Sequence, residues 1–408
     1  MEKTYDYVVI GGGIVGVSTA WQIQARHPSA KVALFEKESQ LAYHQTGHNR
    51  GVIHAGVYYP PQSLKAEFCK RGVEATIDFC RQHQIDVENC GKLLVATTEV
   101  EVERMHDLYA RCQRNGVEVE LLDRDALCQR EPNIQGLGAI AVKTTSIVDY
   151  TQVTRAMAEE FCQAGGELHL NATVSELKET TENVKIEVNG SDTIQARFLI
   201  ACSGLAADRM TKMMGLETHF QIIPYRGEYY RLAAKHNQLV KHLIYPIPDP
   251  ELPFLGIHLT RMIDGSITVG PNAVQGFKRE GYDRVNFSLK DCVEMLLFPG
   301  FWKVTLRYFK TGISELRSSW FKASYLKKVN KYCPKIELED LEYYPAGVRA
   351  QAVLDDGTLV HDFLFAESDR SLHVCNAPSP AATSAIPIGE YVCQKVEAKL
   401  GIKPTASK

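Results

Sequence analysis

The stretch YDYVVIGGGIVG, Tyr5–Gly16, constrains the fold more than any other part of the chain. A short apolar strand runs into Gly11-x-Gly13-x-x-Gly16, and an apolar helix is predicted from there to about Gln24. A second apolar run, KVALFEK (Lys31–Lys37), carries Glu36 at its end. Strand, glycine turn, helix and strand make a βαβ unit for a dinucleotide. Gly11 permits the tight turn, Gly13 lets the backbone approach a pyrophosphate, and Gly16 lets helix pack on strand. Ile14 and Val15 open the helix, whose unpaired N–H groups favour phosphate. Glu36, followed by Lys37, is placed to accept hydrogen bonds from ribose hydroxyls. No second GxGxxG follows a strand, so one dinucleotide is expected, and the pattern leaves NAD or FAD open.

The chain of 408 residues has room for two or three domains. Helices are expected near 65–83 and 99–115, and ELHLNATVSEL and VKIEVNG alternate like paired strands. ARFLIACSG (Ala196–Gly204) is another apolar strand, and the tail reads as strand, Pro/Ser/Ala loop and helix. Between Ile222 and Gly270, Pro, Tyr and alternating β-formers suggest a covering sheet. Parallel-type strands at the beginning, middle and end imply a discontinuous nucleotide domain (1–90, 150–218, 345–408). A second domain (91–149, 219–344) is inserted in it.

Composition removes several classes. A net charge of −3 gives no global reason to bind nucleic acid, and none is expected. The eleven cysteines form no C-x-x-C pair, and no metal site is expected. Their scatter and the start MEKTYDYVVI, without a basic n-region and cleavage site, fit reduced thiols and a cytoplasmic location. No apolar run is long enough to span a bilayer.

His44–Gly56, HQTGHNRGVIHAG, crowds histidines, arginine and glycines beside the nucleotide unit. With it, the blocks NCGKLLVAT, REPNI, YRGEYYRL, LIYPIPDP, PFLGIHLTRMIDGSITVGPNA, YPAGVRAQAV and CNAPSPAATSAIPIG resemble the L-2-hydroxyglutarate dehydrogenases, also called oxidases. These belong with the D-amino-acid oxidase/glycine oxidase flavoenzymes, and the resemblance runs from about Tyr5 to Leu400, most like the bacterial members. It implies an α/β, mixed fold: a Rossmann-type FAD-binding domain of the glutathione-reductase-like/D-amino-acid oxidase type with a substrate domain on an antiparallel sheet. It implies FAD, and oxidation of L-2-hydroxyglutarate to 2-oxoglutarate by hydride transfer to the flavin. Thr46, Gly47, His48, Asn49, Arg50 and Gly51 would meet flavin and pyrophosphate, with His44 and His54 nearer the reactive edge. Val174 would meet the adenine, Ser203 and Gly204 would close over the nucleotide, and the loop Asn376–Thr383 (Ser379, Ala381, Ala382, Thr383) would reach the flavin's pyrimidine edge. His44 and His48 are conceivable points of covalent attachment, and the sequence requires none.

Oxidising a 2-hydroxy acid needs a base for the hydroxyl proton and cations for the carboxylates. Arg349, in PAGVRAQ, matches the carboxylate-gripping arginine of the amino-acid oxidases. Arg226 and Arg261 are candidates for the distal carboxylate, and Tyr245 and His258 for further substrate hydrogen bonds. His54 is the preferred base and His258 its rival. Two other readings stand beside this one: an amine or amino-acid oxidase, and a flavin-binding redox sensor without turnover.

One segment, 298–335, is basic and aromatic and is expected to be helical. From Phe301 to Lys335 it carries nine basic residues against Glu315 alone, interleaved with Trp302, Phe309, Trp320, Phe321 and Tyr325. Peripheral docking on anionic lipid at the inner membrane's cytoplasmic face would suit this pattern, with electrons passing to quinone, oxygen being the alternative acceptor. The competing reading packs the aromatics on the core and leaves the lysines solvated.

Overall fold

A computed structural model describes residues 3–60, 62–250, 256–283 and 286–402. The first three residues of the block beginning PFLGIHL, and the ends of the outer domain ranges, lie outside the described residues.

Two large sheets divide the chain. In the eight-stranded sheet Lys3–Ile10 lies between Val32–Phe35 and Asp192–Ala201, parallel to both. Glu167–His169 and Ser371–Asn376 extend it in parallel on either side. These strands are nearly continuous apolar runs because both faces are covered. Helices Ile14–Arg26, Tyr150–Gln163 and Ala385–Lys399 pack on one face through Val17, Ile23, Phe161 and Ile388. A second cluster around Val8, Leu199 and Met210 fills the other.

ELHLNATVSEL breaks in two rather than forming one strand. Asn171 takes a positive φ of 53°, so Glu167–His169 stays in the parallel set while Val174–Glu179 turns away to pair antiparallel with Val184–Val188. The helices expected near 65–83 and 99–115 run over Leu64–Gln82 and Glu99–Arg114. Each is capped by a hydroxyl, of Ser63 and Thr98, that accepts from a first-turn N–H.

The nine-stranded sheet is mostly antiparallel. Its spine is Phe220–Leu232, paired along its length with Leu341–Leu354 and on its other edge with Ile267–Gly270 and Val274–Gln275. His258–Arg261, Leu243–Pro246, Lys92–Ala96, Gly138–Val142 and Val119–Asp123 follow in that order. Leu341–Leu354 thus crosses the boundary expected at residue 345. A small sheet of Val52–Ile53, Ser146–Val148 and Val87–Glu88 joins the two large ones. Among the described residues no helix is long and apolar enough to cross a membrane.

Candidate active site

The nucleotide cradle follows from chain geometry. Gly11 (φ +112°) donates its N–H to the Phe35 carbonyl, and a Cβ there would lie 2.4 Å from the Cys202 carbonyl oxygen. At Gly16 a Cβ would lie 2.0 Å from the Gly11 oxygen, so helix and turn touch backbone to backbone. Gly13 differs: a Cβ would meet only the Thr46 hydroxyl, at 3.4 Å, so its backbone is open to a ligand. The buried Glu36 carboxylate accepts the N–H groups of Gly12 (2.6 Å) and Glu38 (2.9 Å). Just before Val174, Ala172 N–H reaches the Glu36 carbonyl and Asn171 N–H that of Glu38. Gly11→Ala should therefore cost about 1–3 kcal/mol in backbone strain alone. Thermal unfolding and flavin retained through gel filtration would check this, with both expected to fall.

The glycine-rich loop folds onto that cradle. Thr46 Oγ1 accepts from Ile14 N–H (3.0 Å), and Asn49 closes its own turn through Thr46 O and Gly51 N–H. A Cβ on Gly47 or Gly51 would strike the carbonyl of Ala42 or Val148. Arg50 lies between two rings of the covering sheet, Tyr229 (3.6 Å) and Tyr344 (4.5 Å), and donates to Pro345 O. His48 stacks on Tyr282 at 3.9 Å, while His44 binds Glu38 at 3.0 Å. Glu38, His44 and Glu280 form the one group of metal-ligand type among the described residues, and Lys37 already supplies a cation there, 2.6 Å from Glu280. Thr383 is fully buried, accepting from His54 N–H and donating towards Val52 O, so it ties the tail loop to the glycine-rich loop. That loop lies between Asn376, at the end of the last strand, and the helix starting at Ala385, with Ser379, Ala381 and Ala382 in it. Ser203 and Gly204 follow Cys202, whose N–H bonds Ile10 O beside the cradle.

His54 parts company with His44. It lies with His258, Lys92, Tyr58, Tyr245 and Arg349 between the glycine-rich loop and the covering sheet. His258 stacks on Tyr245 at 3.9 Å, and its Nδ1 meets the Gly256 carbonyl at 3.2 Å. Burial, helped by the positive charge of Lys92, holds His54 down to about 3. Burial, with Arg349, Lys92 and Arg50 adding positive charge, holds His258 down to about 3 as well. Both imidazoles are therefore neutral at pH 7 and able to accept a proton.

The two arginines expected at the distal carboxylate are engaged elsewhere. Arg226 is buried and donates to Glu228, Gly281 O and Asp283 O. Arg261 donates to Glu88 (2.8 Å) and Val240 O (3.2 Å). Each is held by a carboxylate and by backbone carbonyl oxygen, contacts that a sequence reading could not pair.

A family model described as FAD dependent oxidoreductase matches residues 6–395. L-2-hydroxyglutarate dehydrogenase of Escherichia coli (strain K12) is 56% identical over 396 residues, 97% of this chain and 94% of that protein. The chain belongs to the L-2-hydroxyglutarate dehydrogenase family of FAD dependent oxidoreductases. The human mitochondrial member is 40% identical over 412 residues, 97% of this chain and 89% of its own. In fold the chain matches L-alpha-glycerophosphate oxidase from Mycoplasma pneumoniae, with a TM-score of 0.80, 19% identity and coverage of 99% and 97%.

FAD is the cofactor of this family, and the residues present fit it. Ser203 Oγ and Arg50 Nε are buried without a hydrogen-bond partner among the described residues, one beside the glycine turn and one in the loop above it. Gly13 leaves its backbone open between them. Gly13, Ile14, Glu36, Thr46 and Ser203 would hold the dinucleotide, and the loop 47–51 and the tail loop would flank the flavin.

Sequence reasoning missed Lys92. In NCGKLLVAT it precedes an apolar run and reads as a solvated strand end, yet it is only 1% exposed.

Proposed function

We propose that this protein oxidises L-2-hydroxyglutarate to 2-oxoglutarate, with the nine-stranded sheet as its substrate domain. FAD, when bound, supplies the acceptor for the Cα hydrogen and its electron pair. The protein's part is to hold two carboxylates, take the hydroxyl proton and keep water out.

One observation carries the reading: the His258 imidazole is kept neutral, stacked on Tyr245, beside the guanidinium of Arg349. A carboxylate on Arg349 would bring its own α-hydroxyl into this group. Donation from Nδ1–H to Gly256 O leaves the lone pair of His258 on Nε2, the tautomer a base needs. His54 has no comparable orienting contact through its ring among the described residues, so the geometry favours His258 as the base. A bound dianion offsets the nearby cations and lifts the imidazole from about 3 towards working pH, where it takes the proton best.

The test is anaerobic mixing with L- and then D-2-hydroxyglutarate while the flavin band near about 450 nm is followed. Bleaching by the L-enantiomer alone is expected. A yellow protein bleached by neither would overturn the assignment.

The electron acceptor belongs to the same proposal. Helices Leu289–Leu297, Pro299–Arg307, Phe309–Trp320 and Lys322–Val329 carry the basic segment. Phe298, Phe301 and Tyr325 are buried in it, as the packed reading requires. Leu289 (70%), Leu297 (77%), Leu306 (73%) and Trp320 (76%) are exposed, with Trp302, Phe309 and Phe321 beside them. Lys310, Arg317 and Lys327 are exposed without a carboxylate partner among the described residues. Exposed large apolar side chains on the same helices as uncompensated cations suit anionic lipid, each cation contributing about 1 kcal/mol near the surface. We therefore take the face to dock on a membrane and pass electrons to quinone. Flotation with vesicles rich in anionic lipid should carry the protein upward at low salt. Leu297→Ser with Trp320→Ser should abolish that while leaving anaerobic flavin reduction intact.

A further inference from the structure

Lys92 opens the strand Lys92–Ala96, paired in the sheet with Val142 and Leu243. Its ammonium lies 4.9 Å from the centre of the Tyr58 ring and 5.2 Å from that of Tyr245. Among the described residues no hydrogen bond or ion pair reaches it, and the aromatic faces supply only part of what water would. A buried cation without a counter-ion is costly, and burial accordingly lowers this lysine to about 8. Tyr58 adds a second oddity: its hydroxyl is buried without a hydrogen-bond partner among the described residues. An uncompensated ammonium beside an unsatisfied hydroxyl is a pair of donors lacking an acceptor, next to the group where the substrate must react.

We propose that Lys92 and Tyr58 clamp the distal carboxylate of the substrate and so select a 2-hydroxy dicarboxylic acid over a 2-hydroxy monocarboxylic one. The inference rests on the substrate reading above and gives it its specificity. Arg349 takes the carboxylate next to the reacting carbon, and Lys92 takes the one at the far end. The role falls to Lys92 because Arg226 and Arg261 are each already tied to a carboxylate and to backbone carbonyls within the protein.

Titration offers an independent view. The ionisable groups around Lys92 are His54, His258, Tyr58, Tyr245, Cys69, Cys112 and Arg349. Burial pushes the two tyrosines and two thiols upward, Cys69 to about 12, and the two imidazoles down to about 3. Lys92 is the group expected to change charge near pH 8. Because its folded value lies below the usual 10.5, the lysine burdens the folded state below pH 8, and the burden disappears as pH rises through 10.5.

The experiment compares L-2-hydroxyglutarate with L-2-hydroxypentanoate, which has the same chain length without the distal carboxylate. Anaerobic flavin reduction is followed in wild type, Lys92→Met and Tyr58→Phe holoenzymes. Lys92→Met should lose about 10²–10³-fold in kcat/KM for the dicarboxylate, the loss expected when one partner of a desolvated charge pair is removed. Its effect on the monocarboxylate should be far smaller than that on the dicarboxylate, and its thermal midpoint without substrate should rise by a few degrees. Tyr58→Phe, the milder change, should raise KM for the dicarboxylate alone. In wild type, the preference for the dicarboxylate should fall above pH 8. Equal loss on both acids, or undiminished use of the dicarboxylate by both variants, would overturn the clamp while the substrate reading stood. Wild type left oxidised by L-2-hydroxyglutarate would bring down both.

Discussion

His258→Asn should lower the rate of flavin reduction by L-2-hydroxyglutarate by about 10²–10⁴-fold, the usual contribution of a positioned general base. Asparagine can keep the contact with Gly256 O and part of the stacking on Tyr245, but it cannot take a proton. His54→Asn is expected to have a much smaller effect on that rate, since His54 is anchored through its backbone to Thr383 and Cys69. Stopped-flow reduction under saturating substrate distinguishes the two. The reverse order, with His54→Asn the dead variant, would move the base to the glycine-rich loop. Both imidazoles also affect stability. Their folded values lie below the ordinary 6.5, so the stability they contribute is complete above pH 6.5 and is lost as pH falls towards about 3. Acid unfolding of the wild type should begin below pH 6.5, and that onset should be blunted in His258→Asn.

Arg349→Lys should cut kcat/KM by roughly 10²-fold or more, even though charge is retained. A guanidinium can hold a carboxylate through two parallel bonds, whereas an ammonium acts as a point charge on a flexible stem. Misplacement of the reacting carbon by about 1 Å is enough for a loss of that size. The pattern across substrates should differ from that of Lys92→Met. Arg349 holds the carboxylate that every 2-hydroxy acid has, so L-2-hydroxypentanoate and L-2-hydroxyglutarate should suffer alike. Bound flavin, measured by absorbance, should be unchanged. A loss confined to the dicarboxylate would exchange the roles of Arg349 and Lys92.

The sequence was most informative where structure is local. Gly11, Gly13, Gly16 and Glu36 lie within one βαβ unit, and their spacing alone determines how turn, helix and carboxylate meet. Helix ends were legible for the same reason, since Ser63 and Thr98 cap the turns they precede. The split at Asn171 was hidden because alternation continues across it, and only the left-handed backbone reveals the turn. Long-range pairing was harder still. Two partners of Arg226, Gly281 and Asp283, lie over fifty residues away in sequence, and so does the Glu88 that binds Arg261. Lys92 was the least legible, because periodicity identifies faces of a strand and carries no sign that a lysine on the inner face lacks a counter-ion. The exposed aromatics of 298–335 lay between the two cases: composition marked the segment, and only packing separated Trp320 from Tyr325.

The pairing of Phe220–Leu232 with Leu341–Leu354 has a consequence for how the chain is made. At roughly 5–20 residues per second, synthesis leaves the spine strand waiting on the order of 5–25 s for its partner. The glycine turn waits longer, because Ser371–Asn376 and the tail loop come later in the chain than Leu341–Leu354. For that interval the nascent chain presents an unpaired apolar edge and an unfinished dinucleotide cradle, so neither large sheet can close and flavin cannot lock in while synthesis continues. Cofactor capture in this fold is therefore a late event, and a chain cut short before Leu341 leaves both sheets open and prone to aggregate.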